Sequence, residues 1–307
     1  MAFWQKQVAG DGWTSVIFGT DRIIVADILR RTDARPQVRA CDSFAREGGE
    51  LDALKRLKNA KRIARNHCTT LLWHGQYQFL QVDAPSNTKD MPREELREAM
   101  RWRVKEMVDF PIETAGIDVI AIPTVGTHSP QLWVVVASRE AVQSRVHLFQ
   151  DCKVPLVAID IPELAQRNIA RLFEEPNRGL VVVAFDSKGG RLTISYQGEL
   201  YAVRHLDVSG PELVSAQAEA LYERVLLDIQ RTLDNFDRNY SAIPMSRLLV
   251  GPLPGGERFV EYLAANLSLP VASANLAEVL DIEAAPGLAE ASAQYENWRA
   301  LGAALRD

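Results

Sequence analysis

The stretch from residue 179 to residue 206, GLVVVAFDSKGGRLTISYQGELYAVRHL, decides the fold that the sequence predicts. It begins with an unbroken apolar run at 180–185, which is typical of a strand buried on both faces. Two short polar turns that contain glycine, at 186–190 and 197–199, separate this run from two further segments of strand length. In the middle segment, apolar and polar residues alternate. The pattern predicts a meander of three antiparallel strands.

The composition is that of a globular protein with a substantial core. The chain has 307 residues, 47% of them apolar and 24% charged, which fits one large domain or two. Its net charge of -5 argues against a general nucleic-acid binder, which would normally be basic. Cys41, Cys68 and Cys152 are far apart and form no C-x-x-C motif, so we expect a reducing compartment and neither a disulfide framework nor a zinc site.

No targeting or membrane-spanning segment is expected. The first residues, MAFWQKQVAGDGW, lack the apolar core of a secretory signal, and no apolar run approaches the ~20 residues of a transmembrane helix. The sequence therefore predicts a cytoplasmic protein. Phe3 and Trp4 would make only a weak membrane anchor, and we expect them to pack on the protein instead. A helix predicted at 52–66 has basic faces, which are typical of a solvated helix; the alternative is attraction to an anionic membrane surface.

The N-terminal half alternates strands and helices. Two strands flank a turn at 19–21, a third strand follows at 38–44, and a hairpin is predicted at 69–82. A polar, proline-bounded segment at 84–91 indicates a boundary between subdomains. Residues 85–158 then have the order helix, strand, strand, helix, strand, which indicates a small α+β unit.

The C-terminal half contains the longest helical pattern in the chain. A helix is predicted at 163–174, before the meander, and an apolar stripe at alternating steps of three and four follows the meander from Ala218 to Tyr240. The chain ends with a short strand at 247–250, a helix at 255–267, a strand edge at 271–273 and a closing helix at 294–305.

Four segments carry a resemblance to a known family. They are EELREAMRWRVKEMVDFPIETAGID at 94–118, LLDIQRTLDNFDRN at 226–239, RLLVGPLPGGERFVEYLAANLSLPVASA at 247–274, and WRALGAALR at 298–306. The first has a helical pattern that ends at an aromatic-proline pair and leads into a strand with an Asp. In order and spacing, the four segments resemble the PilM/MshI family. These are actin-like, FtsA-like proteins of the inner-membrane platforms that build type IV and MSHA pili.

The resemblance implies a fold class and a division into domains. The expected fold is α/β, an actin-like (ribonuclease H-like) two-lobe ATPase fold with an inserted subdomain of the FtsA type and a shortened second lobe. Residues 1–84 form the expected first lobe, which 159–178 and 286–307 complete. Residues 85–158 form the inserted subdomain, and residues 179–285 form the second lobe.

The same resemblance places a nucleotide cleft at three turns whose motifs are mostly lost. The first turn lacks the leading Asp of the family's D-x-G-S-S motif. In the second turn, Ala184 replaces the Asp of the motif and Asp186 replaces its first glycine, which sets a carboxylate against phosphate oxygens of like charge. Two prolines remove backbone donors from the third turn. The residues at the cleft positions are Gly19, Thr20, Asp21, Asp186, Ser187, Lys188, Gly189, Gly190 and Gly251.

These losses predict a pseudo-ATPase rather than an enzyme, with no catalytic residue, cofactor or metal ion. The alternative is an actin-like switch that binds ATP with Mg²⁺ and thereby changes its affinity for a partner. Lys188 fits either a phosphate ligand or a solvated turn lysine, and we expect the second. Asp21 fits either a metal ligand or a hairpin-turn residue, and again we expect the second. A sugar-kinase-like enzyme is disfavoured because no catalytic Asp follows a matching phosphate turn.

The resemblance also implies a partner. Proteins of the PilM family bind the cytoplasmic tail of a single-pass membrane protein of the PilN type, in a groove between the first lobe and the inserted subdomain. We expect that site to include Trp73, Tyr77, Phe79, Trp102 and Phe110, although ordinary core packing is the alternative for all five.

The implied role is that of a scaffold at the inner face of the inner membrane. The PilN-like partner would hold the protein there, in contact with other pilus platform proteins and without nucleic acid. Homo-oligomerisation is left open, and a type II secretion platform is the alternative to a pilus.

Overall fold

The computed structural model describes residues 12–31, 33–60, 63, 67–85, 88, 91–125 and 129–306. Its strands are β1 (Trp13–Phe18), β2 (Arg22–Leu29), β3 (Gln37–Ala45), β4 (Cys68–Leu71), β5 (Tyr77–Asp83), β6 (Gly116–Ile122), β7 (Gln131–Ala137), β8 (Leu156–Asp160), β9 (Gly179–Phe185), β10 (Gly190–Tyr196), β11 (Glu199–Leu206), β12 (Met245–Val250) and β13 (Val271–Ser273). Its helices are α1 (Glu50–Asn59), α2 (Arg93–Arg103), α3 (Arg139–Asp151), α4 (Pro162–Phe173), α5 (Gly210–Leu213), α6 (Glu219–Tyr240), α7 (Glu257–Asn266) and α8 (Ala291–Ala304).

Two five-stranded sheets share one strand order. The first runs β3-β2-β1-β4-β8 and the second runs β11-β10-β9-β12-β13. In each sheet the first three strands form an antiparallel meander, and the last two strands run parallel to the first. Counted within each sheet, the order is 3-2-1-4-5 both times. This duplication is the two-lobe, ribonuclease H-like arrangement that the family resemblance implies, so the fold class is confirmed.

The meander predicted at 179–206 is present as β9, β10 and β11, and both faces of β10 are buried. The polar side chains of Arg191, Thr193 and Ser195 are buried because α4 covers their face of the sheet. Gln166 of α4 donates from Nε2 to Thr193 Oγ1 at 3.0 Å and to the Arg191 carbonyl at 3.1 Å. Alternation of apolar and polar residues therefore does not mark a solvent-exposed face in this strand.

A third sheet, of order β5-β7-β6, shows that the hairpin predicted at 69–82 is wrong. β5 pairs antiparallel with β7, from Tyr77 opposite Ala137, whereas β4 pairs with β1 and β8 in the first sheet. The chain passes from one sheet to the other just after Leu72, whose N–H donates to the Asp160 carbonyl at 2.9 Å. Two apolar runs around a short polar turn are typical of a hairpin, but a local pattern does not show which sheet each run joins.

The strand pairing also differs from the boundaries predicted for the inserted subdomain, 85–158. The small sheet begins with β5, before residue 85, and β8 is the edge strand of the first large sheet. Helix α3 packs on β8 and on α1, and the ring of Phe149 meets that of Phe18 edge-on at 6.0 Å between centroids. The segment from α3 to β8 therefore packs with the first lobe, because the apolar core of that lobe covers it.

Helices α4 and α8 lie side by side, α4 against the second large sheet and α8 against the first. Ser15 Oγ donates to the Ala300 carbonyl at 2.7 Å and joins α8 to β1, while Asn168 Nδ2 donates to the Gly302 carbonyl at 2.9 Å and joins α4 to α8. Gly302 permits this close approach, since a Cβ there would lie 2.3 Å from the carbonyl oxygen of Ala165.

The apolar stripe predicted from Ala218 to Tyr240 is confirmed as α6, which buries Tyr222, Val225 and Ile229 among others. The predicted basic helix is α1 as far as Asn59; residues 61, 62 and 64–66, like Phe3 and Trp4, lie outside the described residues. In the part of the chain that the structure describes, no helix combines the length and the apolar character that crossing a membrane requires.

We predict that Gly302→Ala destabilises the protein by about 1–3 kcal/mol, because the added methyl group would meet backbone atoms of α4 that cannot rotate away. The free energy of unfolding from urea titration measures this effect. Gly287→Ala is the matched control, since a Cβ at Gly287 meets no atom within 4 Å. Equal stability of the two variants would contradict the packing described for α4 and α8.

Candidate functional site

A cleft of about 250 Å³ lies between the two lobes, where the β1–β2 turn, the β9–β10 turn, α4 and α8 meet. Six of the nine residues predicted for the nucleotide cleft line it, and the remaining three, Gly189, Gly190 and Gly251, do not. The six are Gly19, Thr20, Asp21, Asp186, Ser187 and Lys188. The structure thus brings the first two predicted turns together and leaves the third turn outside the cleft.

Packing inside the second lobe accounts for two of the glycines that do not line the cleft. A Cβ on Gly190 would lie 2.5 Å from the ring of Phe185, and a Cβ on Gly251 would lie 2.7 Å from that of Ala184. Both contacts are far shorter than van der Waals separation. Glycine at these positions is therefore required by the fold, whether or not a ligand is bound.

Two backbone N–H groups of the β9–β10 turn find acceptors within the turn itself. The Lys188 N–H donates to Asp186 Oδ1 at 2.7 Å, and the Asp186 N–H donates to the Gly189 carbonyl at 2.8 Å. In nucleotide-binding turns, such N–H groups point at phosphate oxygens. Here the acceptor for the Lys188 N–H is the carboxylate of Asp186, which belongs to the turn itself.

Arg299 of α8 faces this turn from the first lobe. Its Nη2 forms an ion pair with Asp186 Oδ2, and its Cζ lies 5.3 Å from the centre of the Trp73 ring. Lys188 Nζ lies 5.0 Å from the same centre, which is within the range of cation–π attraction. Burial lowers the pKa of the Arg299 guanidinium, and the negative charge of Glu163 opposes that shift. Arg299 lies in the segment WRALGAALR, but sequence reasoning gave it no role.

Beside the cleft, the buried carboxylate of Glu163 in α4 joins the small sheet to the second lobe. Tyr77 of the small sheet donates its hydroxyl to Glu163 Oε2 at 2.6 Å. Arg191 Nε of β10 donates to Oε1 at 3.2 Å, and His205 Nε2 of β11 lies 3.1 Å from the same oxygen. Burial alone would raise the pKa of Glu163, but Arg191 and the hydrogen bonds from His205 and Tyr77 prevail and lower it to about 2.

Glu163 was not predicted from the sequence. A glutamate directly after Pro162, in the first turn of a helix, is the ordinary choice for the helix dipole, so nothing local distinguishes it. The structure also brings His74 beside His205, with ring centroids 4.8 Å apart. Among the residues that the structure describes, no group of three or more His, Cys, Asp and Glu side chains is placed to hold a metal ion.

The five residues predicted to bind a partner lie in different places. Trp73 lines the cleft. Tyr77 is buried against Glu163, and burial followed by the charge of Glu163 raises the pKa of its hydroxyl. Phe79 stacks on Trp133 at 4.5 Å. Trp102 is 70% exposed at the end of α2, and Phe110 lines a separate hollow beside α3.

A narrow apolar groove lies between the small sheet and the first lobe. Its walls are β6 and β8, each the edge strand of its sheet. The groove contains two carboxylates that are already paired, Asp118 with Arg97 at 3.0 Å and Asp160 with Arg306. None of the five predicted partner residues lines it. The apolar lining consists of Leu72, Ile117, Ile120, Val135, Ala137, Val142, Ile159, Ile161 and Leu164.

The duplicated sheet topology gives the chain an actin-like fold. No family model and no curated protein matches the sequence. Among solved structures, a chain of the PilM–PilN type IV pilus biogenesis complex has a TM-score of 0.74 at 20% identity, over 96% of this chain and 98% of that one. The chain is therefore PilM-like in fold, as its sequence resemblance implies.

Two further solved structures are similar at a lower level. The cytoplasmic domain of EpsL, an inner membrane component of the type II secretion system of Vibrio cholerae, has a TM-score of 0.48 at 10% identity, over 78% of this chain and 82% of that one. A protein with an actin-like ATPase fold from Bacteroides thetaiotaomicron has a TM-score of 0.49 at 9% identity, over 91% of this chain and 95% of that one.

We predict that Glu163→Gln lowers the free energy of unfolding at neutral pH by roughly 3–5 kcal/mol, because buried Arg191 loses the charge that compensates it. The folded-state pKa of Glu163 lies below its ordinary value of 4.5, so this stability is lost as the pH falls from 4.5 towards about 2. The difference between wild type and variant should therefore shrink below pH 4.5 in urea titrations.

The control for this experiment is Glu257→Gln, a change of the same kind at an exposed position in the first turn of α7. It should alter stability little at any pH. A wild-type to Glu163→Gln difference that stays constant across the acid range would show that the charge of Glu163 does not contribute in the way described.

Proposed function

We propose that this protein is a non-catalytic scaffold of a type IV pilus assembly platform of the MSHA-like kind, and that it binds the cytoplasmic tail of a PilN-like single-pass membrane protein. The observation that carries the proposal is the β9–β10 turn, in which the Asp186 carboxylate takes both the Lys188 N–H and the Arg299 guanidinium. Similarity in fold to a chain of the PilM–PilN complex supports the choice of partner.

The chemistry of the cleft argues against phosphate binding. A phosphate at the β9–β10 turn would have to displace Asp186 from the Lys188 N–H or lie against its negative charge, and like charges repel strongly in a poorly solvated cleft. It would also have to compete for Arg299, which Asp186 neutralises. We infer that no nucleotide serves as a cofactor and that the protein is a pseudo-ATPase.

The groove between β6 and β8 has the features that bind an extended peptide. Two edge strands offer backbone donors and acceptors, and an apolar lining offers pockets for alternate side chains of an added strand. The paired states of Asp118 and Asp160 leave no uncompensated charge in the groove. An apolar N-terminal tail therefore fits it better than a charged ligand does.

In this role the protein lies on the cytoplasmic side of the inner membrane and is held there by its partner. Trp102 in the last turn of α2 and Met107 in the short 3-10 turn that follows are exposed outside the groove, where other platform proteins or a second copy of the chain could contact them. Nucleic acid is not among the proposed partners, given the net charge of -5.

The second candidate function is an ATP-binding switch of a pilus or type II secretion platform. One observation favours it: the cleft between the lobes is lined by Arg22, Lys188 and Arg191, which are cations of the kind that neutralise phosphates.

We predict that millimolar Mg-ATP leaves the unfolding temperature of the wild type unchanged, because the Asp186 carboxylate already occupies the β9–β10 turn where a phosphate would bind. A ligand present at about 100 times its Kd would add roughly 2.7 kcal/mol of stability and raise the unfolding temperature measurably. A clear rise that disappears in Lys188→Ala would overturn the scaffold proposal in favour of the switch.

We predict that a synthetic N-terminal tail of the PilN-like protein binds with a Kd of about 1 μM or below in titration calorimetry. Gly116→Val should weaken this binding about tenfold or more, because the new side chain would project towards Val142 into the groove. Its own Cβ meets that side chain at an ordinary 3.7 Å, so the fold should tolerate it.

Trp102→Ala is the control, since it removes an exposed aromatic side chain outside the groove. It should leave the affinity for the tail unchanged. If the wild type does not bind the tail, the proposed partner is wrong. If Trp102→Ala loses binding while Gly116→Val keeps it, the binding site lies on α2 instead of in the groove.

A further inference from the structure

The two lobes are joined across the cleft by side chains of opposite charge. Asp186 belongs to the β9–β10 turn of the second lobe. Arg299 belongs to α8, which packs on β1 and β2 of the first lobe. Their ion pair therefore spans the cleft, and Trp73, which comes from the β4–β5 connection, lies within cation–π range of both Arg299 and Lys188.

We propose that the Asp186–Arg299 pair on Trp73 is a tie that keeps the lobes closed without any ligand, and that its release opens the cleft. The inference rests on the proposed function, because it assigns to residues of the chain the bridging of the lobes that a bound nucleotide would otherwise perform. The resulting closed state presents the scaffold to its partners in one fixed shape.

The Asp186–Arg299 pair is partly shielded from water, which strengthens it, but it remains accessible enough to break. The side chains of Arg299 and Asp186 are 19% and 28% exposed, so the pair is more shielded from water than an ordinary surface salt bridge. Asp186 Oδ1 is fixed by the Lys188 N–H, which leaves Oδ2 aimed at Arg299. Because the pair is not fully buried, water and salt still reach it.

The Glu163 cluster, which joins the small sheet to the second lobe, differs in this respect. Glu163 is 1% exposed and bonds Arg191 and His205 of the second lobe, so breaking that connection would leave charges in a place that water does not reach. Separating Asp186 from Arg299 instead exposes both groups to water, which solvates them, so the free-energy cost is modest. We therefore place the moving contact at Asp186 and Arg299 and the fixed contact at Glu163.

Pulsed electron paramagnetic resonance tests the tie in the full-length protein. Spin labels at Thr20→Cys and Ser187→Cys, in a Cys41→Ser background, report the distance between the two exposed turns that face each other across the cleft. We expect a single narrow distance distribution for the otherwise unchanged protein. Arg299→Ala should broaden it towards longer distances, and about 1 M NaCl, which shortens the screening length to roughly 3 Å, should do the same.

Asp186→Asn tests the same contact from the other lobe, because Asn keeps the acceptor for the Lys188 N–H and removes the charge. It should broaden the distribution as Arg299→Ala does, and the double variant should be no broader than either single one. Arg22→Ala is the matched control: Arg22 also lines the cleft, but it bonds Ser43 within its own sheet. It should leave the distribution narrow.

The outcomes separate the tie from the proposed function. Unchanged narrow distributions in Arg299→Ala and Asp186→Asn, with normal circular dichroism, would overturn the tie and leave the scaffold proposal standing. Broadening in Arg22→Ala equal to that in Arg299→Ala would overturn the tie as well, because loss of any cleft cation would then suffice. Narrowing of the Arg299→Ala distribution by Mg-ATP would contradict the scaffold proposal and support the tie.

Discussion

The burial of one carboxylate, that of Glu163, constrains how the small sheet is placed on the second lobe. A charge that is 1% exposed persists only where other groups compensate it, and here the partners come from the small sheet and from two strands of the second lobe. A displacement of any part would leave a charged group unpaired away from water. The position of the small sheet on the second lobe is therefore fixed by electrostatics, whereas the two lobes meet through the packing of α4 against α8.

The local elements could be predicted from the sequence because each pattern spans only a few residues. The apolar run at 180–185 and the stripe of α6 report on the burial of near neighbours, and the structure confirms both. The membership of β5 in the small sheet could not be predicted in this way. A strand has the same local pattern whichever sheet it joins, and only the long-range pairing with β7 decides between them.

The site was predictable to the extent that family resemblance located it. That resemblance identified the two turns that line the cleft and the loss of their phosphate-binding residues. It missed Glu163 and Arg299, whose roles depend on contacts distant in sequence; the Tyr77 partner of Glu163 is 86 residues away. Trp102, predicted to bind a partner, lies on an exposed face outside the groove. Its position depends on where α2 ends, which helical periodicity does not determine.

The cleft and the groove thus differ in one physical respect. The chain places its own ion pair at the β9–β10 turn of the cleft, whereas the groove is bordered by β6 and β8, which are edge strands among the described residues. A crystal structure of the protein grown with Mg-ATP tests this contrast most directly. We expect Asp186 to remain on Arg299 and the Lys188 N–H to remain on Asp186, with no phosphate between the turns. An ordered triphosphate held by the N–H groups of the β9–β10 turn, with Asp186 displaced, would contradict the account.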